Sequence, residues 1–414
     1  MRRLSMVSLM QRNYDFTLLW TGNAVSEVGS SMSTLVFPLI GYAVTGSAAQ
    51  AGLATAALFL GQVLVQLPAG ALNDRWPRRR VLLMGNLAAG LLFASLAVTA
   101  ALGAVTLAQL VVVAALSGAV NAFLRPAFSA SIRSVVPDED KPVAYAQLQA
   151  NGHLAGLIGP PIGGALYSVA RGLPFVVDAV SYLAEALATT RIRHSLPAPE
   201  PSGKNVRADI AEGLRYALRH PVNRAILLWG GAVNFSMLFV LVGVTLRLVR
   251  AGVAPAAIGL VETVAAGAGL AGALIAPAII RRARTGLTAV LTGLMLALIV
   301  LPMVFTTDPL LIGALLAGGT FLVPANNAGI SAYLSTVTPD HLQGRVYAAG
   351  GLIADGTMPV APLLAGVLVS QLGAGATLIG AACVAASTLP LLLSRQILSL
   401  GRPASWSQPK PVSA

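Results

Sequence analysis

The stretch GALNDRWPRRRVLL, from Gly70 to Leu83, joins two long apolar runs through a short connection that carries one aspartate and four arginines. Each flanking run has about 20 residues, which is the length of an α-helix that crosses a bilayer. Short loops rich in Lys and Arg stay on the cytoplasmic side of a membrane. The stretch therefore predicts two membrane-spanning helices that meet at the cytoplasmic face, and it orients the spans on both sides of it.

The overall composition also indicates a membrane protein. Hydrophobic residues make up 56% of the 414 residues and charged residues 10%, with a mean hydropathy of +0.77. Too few polar side chains remain to cover a soluble domain. The net charge of +12 does not indicate a nucleic-acid partner, because the basic residues lie in loops between apolar runs. We expect membrane lipids as the surroundings and no cofactor. The single Cys383 excludes a disulfide framework.

Twelve apolar runs are long enough to cross a membrane, which predicts an all-α membrane protein with both termini in the cytoplasm. The runs are near residues 16–44, 50–72, 80–102, 105–130, 144–170, 173–192, 223–249, 254–280, 285–305, 309–333, 345–370 and 373–396. With this topology all of the 27 lysines and arginines lie on the cytoplasmic side except Arg171, Arg247 and Arg250. A topology shifted by one helix would destroy this asymmetry.

The two halves of the chain repeat each other. FLRPA at 123–127 returns as FLVPA at 321–325, and VVPDED at 135–140 returns as VTPDHL at 337–342. A parallel repeat of six helices is one of the architectures of secondary transporters. The predicted organisation is a six-helix bundle over 1–193, a cytoplasmic linker over 194–222, a second six-helix bundle over 223–397 and a disordered cytoplasmic tail over 398–414. Within the linker, the apolar spacing predicts a basic amphipathic helix, either on the membrane surface or solvated.

The stretch from Gly70 also resembles the G-x-L-a-D-r-x-G-r-k signature that the major facilitator superfamily carries between its second and third helices. Three longer segments are similar to one branch of that superfamily, the transmembrane secretion effectors, with enterobactin exporters and macrolide efflux proteins. They are NYDFTLLWTGNAVSEVGSSM at 13–32, LRYALRHPVNRAIL at 214–227 and GRVYAAGGLIADGTMPVAPLLAGVL at 344–368. The resemblance implies the major facilitator fold and a monomeric, proton-coupled antiporter that exports a small amphiphile by alternating access. It also implies location in a bacterial inner membrane.

In the family the basic loop acts as a cytoplasmic latch between the two halves. The resemblance implies that role for Gly70, Asp74, Arg75, Arg78 and Arg79, whereas Asn73 and Pro77 depart from the signature. The second half has Ala276 where Asp74 would repeat, so the latch would be one-sided. Simple positive-inside anchoring is the alternative, above all for Arg79 and Arg80.

The fifth span contains a second family signature. Gly159, Pro160, Gly163 and Gly164 match the G-P-x-x-G-G core found in the superfamily's antiporters, although Ala155 stands where a glycine is expected. Prolines remove helix hydrogen bonds, and glycines let another helix approach closely. We expect a close seam with the eighth span near Gly259, and ordinary small-residue packing is the alternative.

Ionisable residues inside spans are costly and are therefore candidates for function. Glu27 and Asp355 are the leading candidates for a proton carrier, because the first and eleventh helices line the cavity in the superfamily. Glu185 is the third candidate. Asp178 shares a helix face with Glu185 and is either a carrier or a hydrogen-bonding anchor. His153, which the repeat pairs with Asp355, is either a proton shuttle or a simple hydrogen-bonding residue.

Amide side chains predict a cavity suited to a moderately polar, amphiphilic cargo, although hydrogen bonds between helices are the alternative for each of them. The candidate lining residues are Gln62, Gln66, Asn121, Gln149, Asn234 and Glu262. No arginine is expected at the membrane centre, which argues against a cavity for an anionic group. No catalytic or metal-binding cluster is expected, because the four histidines are scattered. An uptake permease or lysolipid carrier of the same fold is the remaining alternative.

Overall fold

The computed structural model describes residues 6–73, 75–196, 206–387, 389–398 and 400–401. In these ranges the chain consists of helices and short connections, without strands. The helices group into two compact units. The first is formed by Met1–Gly203 with Gly252–Thr263, and the second by Lys204–Ala251 with Val264–Ala414.

Among the described residues of the amino-terminal half there are seven helices and one short 3-10 helix. They are α1 (Met6–Arg12), α2 (Tyr14–Thr45), α3 (Ala48–Asn73), α4 (Arg78–Ala101), α5 (Leu107–Val135), the 3-10 helix Asp138–Asp140, α6 (Lys141–Val169) and α7 (Leu173–Thr190). Local sequence sets several of their ends. The side chain of Asn13 accepts a hydrogen bond from the Phe16 N–H at the start of α2, and Gly46 ends that helix at φ +67°.

The described part of the carboxy-terminal half contains ten further helices. They are α8 (Val206–Arg219), α9 (Pro221–Arg250), α10 (Pro255–Arg282), α11 (Thr285–Met303), α12 (Pro309–Thr320), α13 (Val323–Val337), α14 (Asp340–Gly356), α15 (Val360–Ser387), α16 (Leu389–Leu392) and α17 (Arg395–Leu398). The predicted linker helix is present as α8. The predicted tail lies outside the described residues from 402 onward.

Ten helical segments of the described chain are long and apolar enough to cross a membrane. The fifth predicted span is helical as α6 but is not among the ten, and it carries the polar residues Gln147, Gln149, Asn151 and His153. The tenth predicted span is divided into α12 and α13, and the eleventh is divided at residues 357–359. The last predicted span begins at Gly373, where α15 has a non-helical φ of 83°. The count of twelve spans and the cytoplasmic termini stay predictions.

Small residues bring the helices of the first unit together. Gly22, Ser26, Gly29 and Ser33 are all buried and recur along one face of α2, against which α7 packs. A Cβ on Gly118 of α5 would overlap the Leu58 carbonyl of α3. These close approaches place α2, α3, α5 and α7 around a common space.

In the second unit, a glycine again permits a close approach. A Cβ on Gly272 of α10 would overlap the carbonyl of Phe321, which lies at the division between α12 and α13. Helix α9 is the central element and packs on α14 and α15. Its Trp229 is 2% exposed and belongs to an apolar cluster that also contains Leu392 and Ile397.

Candidate functional site

A polar cavity of about 250 Å³ lies among α2, α3, α5 and α7 of the first unit. Its lining residues are Asn23, Ser26, Glu27, Ser30, Gln62, Asn121, Leu124, Arg125, Phe128, Tyr182 and Glu185. Four of them, Glu27, Glu185, Gln62 and Asn121, are candidates that the sequence singled out. The structure therefore gathers residues from four separate spans at one place.

Two carboxylates face this cavity from neighbouring helices. Glu27 is exposed on α2, whereas Glu185 of α7 is only 9% exposed. The absence of a side chain at Gly22 permits this arrangement, because a Cβ there would lie 3.3 Å from the Cγ of Glu185. Ser26 lies close enough to Glu185 to interact with it, and the charge of Glu27 acts on Glu185 as well.

Arg125 is a cavity residue that the sequence reading did not select. It lies four residues after Asn121 on α5, so both side chains point from the same helix face into the cavity. The expectation that no arginine lies at the membrane centre stays a prediction, and the cavity itself does contain an arginine. Its position in the sequence could have indicated this role, because Arg125 falls inside the predicted span 105–130. The count of basic residues by loop instead places it with the cytoplasmic loop.

Hydroxyl groups form hydrogen bonds with Tyr182 in the cavity lining and with the buried Asp178 one turn before it on α7. The hydroxyls of Ser30 and Tyr182 lie 2.9 Å apart and share a hydrogen bond. Asp178 is 0% exposed, accepts a hydrogen bond from Ser33 across the α2–α7 interface, and accepts another from Ser181 at 3.3 Å. A smaller cavity of about 50 Å³ between these groups and Phe37 adjoins Asn121. Asp178 itself does not line either of these two cavities.

The remaining candidates do not line the cavity of the first unit. Gln66 is half-buried on α3, Gln149 is exposed on α6, and His153 is half-buried one turn further on. Glu262 lies in the part of α10 that groups with the first unit. The other two candidates belong to the second unit: Asn234 is on α9 and Asp355 is in the last turn of α14.

Asp355 lies immediately before the division of the eleventh predicted span. Its carbonyl accepts the Met358 N–H at 3.0 Å, where the helix ends. A proline, Pro359, follows before α15 begins. The acid is thus placed at a helix end rather than in a continuous helix.

Within the basic loop, Asp74 lies outside the described residues. Arg78 donates hydrogen bonds to Ser134 at 2.5 Å and to the carbonyl of Ala130. Arg79 donates to the carbonyls of Thr190 and Ile192 at the end of α7. The other two residues, Gly70 and Arg75, lie half-buried and exposed, respectively. The described hydrogen bonds of Arg78 and Arg79 therefore join parts of the first unit to one another.

A contact at the same end of the first unit was not predicted. Both carboxylate oxygens of Asp15, at the start of α2, accept backbone N–H groups at 2.8 Å, one from Arg193 and one from His194. The guanidinium of Arg193 lies 4.6 Å from the ring centre of Tyr14. The start of α2 is thereby fixed to the segment that follows α7.

The glycine and proline signature of α6 forms two close contacts. A Cβ on Gly163 would lie 3.0 Å from the Cβ of Met32 on α2, and a Cβ on Gly159 would meet Ser31. On another side, Gly164 packs against the Pro255 carbonyl. Gly259 of α10 packs in the same way against the Pro160 carbonyl. The helix continues through Pro160 and Pro161.

Long apolar helices around a cavity of carboxylates and amides define a multi-pass membrane protein of the transporter class. The chain belongs to the Major Facilitator Superfamily, whose family model matches residues 19–362. Membership in this superfamily makes it a transporter rather than an enzyme.

Among similar proteins is the multidrug efflux pump Tap of Mycolicibacterium fortuitum, which is 28% identical over 383 residues, covering 88% of this chain and 90% of that protein. Tap of Mycobacterium tuberculosis is 27% identical over 88% of this chain and 89% of its own length.

Solved structures share the fold. A bacterial homologue of the human lysosomal transporter Spinster, inward-facing and occupied, has a TM-score of 0.75 and 14% identity over 95% of this chain and 98% of that one. A bacterial homologue of the iron transporter ferroportin, inward-facing, has a TM-score of 0.71 and 14% identity over 92% of this chain and 98% of that one. At such identities the likeness shows the fold alone.

Proposed function

We propose that this transporter exports small amphiphilic compounds across the cytoplasmic membrane of a bacterium in exchange for protons. Export is supported by the relatives, which are named multidrug efflux pumps. Proton exchange is supported by the placement of Glu27 and Glu185 on one cavity together with Arg125.

The charges of this cavity suggest how exchange works. Two ionised carboxylates and one guanidinium leave an excess of one negative charge in a confined space. A proton on either carboxylate removes that excess, and so does a basic group of the cargo. Proton and cargo thus compete for the same negative charge, so the binding of one excludes the other. As the protein opens alternately to the two sides of the membrane, it exchanges one ligand for the other.

The rest of the lining specifies the kind of cargo. Leu124 and Phe128 provide apolar surface, whereas Gln62 and Asn121 provide amide donors and acceptors. Such mixed surfaces bind a largely apolar molecule and orient it through a few polar contacts. We therefore propose an amphiphile that carries a basic amine, such as an antibiotic or another secondary metabolite.

Accumulation in cells without their own pumps tests this proposal. The compounds are a fluorescent lipophilic cation, a macrolide and a neutral amphiphile. The proteins are the wild type, Glu27→Gln, Glu185→Gln and Asp355→Asn, with Glu139→Gln as the control, since Glu139 is an exposed acid outside the cavity. We expect the wild type to lower accumulation of the cations, and we expect a protonophore to abolish this effect. Glu27→Gln should lower the efflux rate at least roughly tenfold, a modest part of what a proton-transferring group contributes.

The control variant and the direction in which the compounds move distinguish export by proton exchange from the alternatives. Glu139→Gln should behave like the wild type. Higher accumulation in the presence of the protein would contradict export and favour an uptake permease or lysolipid carrier. Efflux that persists with the protonophore would contradict proton exchange.

A further inference from the structure

The amphipathic helix α8 leads directly into the membrane helix α9. Helix α8 ends at Arg219, α9 begins at Pro221, and His220 is the residue between them. Because α9 is apolar enough to span a membrane, its first residues lie at the level of the lipid headgroups. The junction around His220 is therefore a membrane-surface position.

Helix α8 is held firmly at this level by α14. Gly213 packs against the backbone of Arg345, and a Cβ at position 213 would overlap the Arg345 carbonyl. Ala217 is 0% exposed and joins an apolar cluster with Leu342 and Val346. Glu212 forms an ion pair with Arg345. These contacts fix one face of α8 and leave the arginines of the opposite face exposed.

A pocket of about 580 Å³ opens at this junction, lined by Glu212, Arg215, Tyr216, Arg219, His220 and Leu342. The charge of Glu212 is balanced by Arg345. Across the described residues, neither Arg215 nor Arg219 takes part in an ion pair. The rings of Tyr216 and His220 lie 4.6 Å apart and form one wall. The pocket thus has two guanidinium groups whose charge is not balanced by a described acid.

We propose that this pocket binds the phosphate group of an anionic phospholipid. Guanidinium groups bind phosphate oxygens with paired hydrogen bonds. The amino-terminal end of α9 adds the positive end of a helix dipole at the same place. Leu218, exposed between the two arginines in sequence, supplies apolar surface for acyl chains. A soluble phosphate would use the arginines but not the leucine, so the lipid is the better fit.

The experiment measures the thermal unfolding midpoint of the purified full-length protein in a neutral detergent. Phosphatidylglycerol, phosphatidylcholine and inorganic phosphate are added separately. The test variant is Arg215→Gln/Arg219→Gln. The control Arg281→Gln/Arg282→Gln removes the same charge from two exposed arginines at the end of α10. We expect phosphatidylglycerol to raise the midpoint of the wild type and of the control by about 2 °C or more, as a ligand well above its dissociation constant does.

The test variant should lose this shift, and phosphatidylcholine and inorganic phosphate should produce none. A shift retained in Arg215→Gln/Arg219→Gln would overturn the proposal, and so would an equal loss in the control, which would indicate general attraction to basic residues. An equal shift with inorganic phosphate would show that the pocket takes soluble anions instead. Native mass spectrometry of Arg215→Lys/Arg219→Lys, which keeps the charge, gives a second reading: bound phosphatidylglycerol should decrease relative to the wild type without loss of folding. The outcome is independent of whether cargo is exported or imported.

Discussion

Substitution of Arg125 tests whether this residue acts in the cavity or only anchors the helix end at the membrane surface. Arg125→Gln leaves Glu27 and Glu185 in the cavity without a balancing cation. Cationic cargo and protons are then held more tightly, so release becomes slow. We expect the initial rate of dye efflux to fall roughly tenfold, equivalent to about 1.4 kcal/mol of added barrier, and Arg125→Lys to restore part of it.

A matched control lies on the same helix. Arg133 is exposed, and its described hydrogen bond is to Ser129 one turn away. Arg133→Gln removes the same charge near the same end of α5. Efflux should be unchanged in this variant, and an equal loss in both variants would contradict a role of Arg125 in the cavity.

We expect Asp178 to contribute to the stability of the folded protein rather than to proton transfer. Asp178→Ala leaves the buried hydroxyl of Ser33 without its described acceptor, whereas Ser181 keeps its hydrogen bond to the backbone carbonyl of residue 178 at 2.7 Å. A buried polar group left unpaired costs about 1–3 kcal/mol. Asp178→Asn keeps the size and one acceptor oxygen. We expect a lower unfolding midpoint for Asp178→Ala, and we expect Asp178→Asn to retain proton-driven efflux. A folded Asp178→Asn protein without such efflux would instead identify Asp178 as a proton carrier.

For single residues, the sequence predicts some of the side chains that line the cavity and does not indicate others, and the reasons are physical. Glu27 and Glu185 could be selected because a carboxylate inside an apolar run is costly and needs a purpose. Arg125 was missed because counting charges by loop cannot show which way a side chain points. The Asp15 contact was missed because its partners, Arg193 and His194, are far away along the chain and contribute only backbone N–H groups.

Among the helix contacts, those of α6 include two glycines, Gly164 and Gly156, that have different surroundings. Gly164→Ala must displace the Pro255 backbone, whereas a Cβ on Gly156 would meet nothing within 4 Å. We expect Gly164→Ala to lower the unfolding midpoint and the transport rate. Gly156→Ala should be tolerated and should stabilise the helix by about 0.5–1 kcal/mol. Equal behaviour of the two variants would show that the close packing at Gly164 is unimportant.

Hydropathy predicted where most helices lie but not where they are divided. The tenth predicted span is continuous in hydropathy over residues 309–333, yet α12 ends at Thr320 and α13 begins at Val323. A division of this kind requires neighbours that satisfy or cover the backbone, and here Gly272 lies against the Phe321 carbonyl. Such a contact depends on tertiary packing, so a run of apolar residues does not reveal it.

For the whole molecule, the charge asymmetry predicts which ends of the helices face the cytoplasm. Ala104 and Glu139 are exposed residues near opposite ends of α5. In a Cys383→Ser background, an impermeant maleimide added to intact cells should label Ala104→Cys and not Glu139→Cys. Permeabilised cells should show labelling at both positions. Labelling of Glu139→Cys in intact cells would reverse the predicted orientation.

The helical membrane architecture could be predicted from the long apolar runs, whereas the orientation and the domain boundaries stay predictions. The internal repeat predicted a division into two halves, and the structure has two compact units. Their membership differs from the predicted halves in two places: Gly252–Thr263 groups with the first unit, and the predicted linker over 194–222 is divided between the two units. Position along the chain does not indicate that assignment, but the predicted seam between the fifth and eighth spans agrees with the contacts of Gly164 and Gly259.

The pairing of Asp15 with residues 193 and 194 has a consequence for biosynthesis. The two partners are separated by 178 and 179 positions. At the usual speed of translation, roughly 10 to 40 s pass between the emergence of the aspartate and the emergence of its partners. During that interval the start of α2 waits at the membrane surface with its carboxylate hydrated. The bond forms only after α7 has been inserted, while the Gly252–Thr263 segment of the first unit is still to be synthesised.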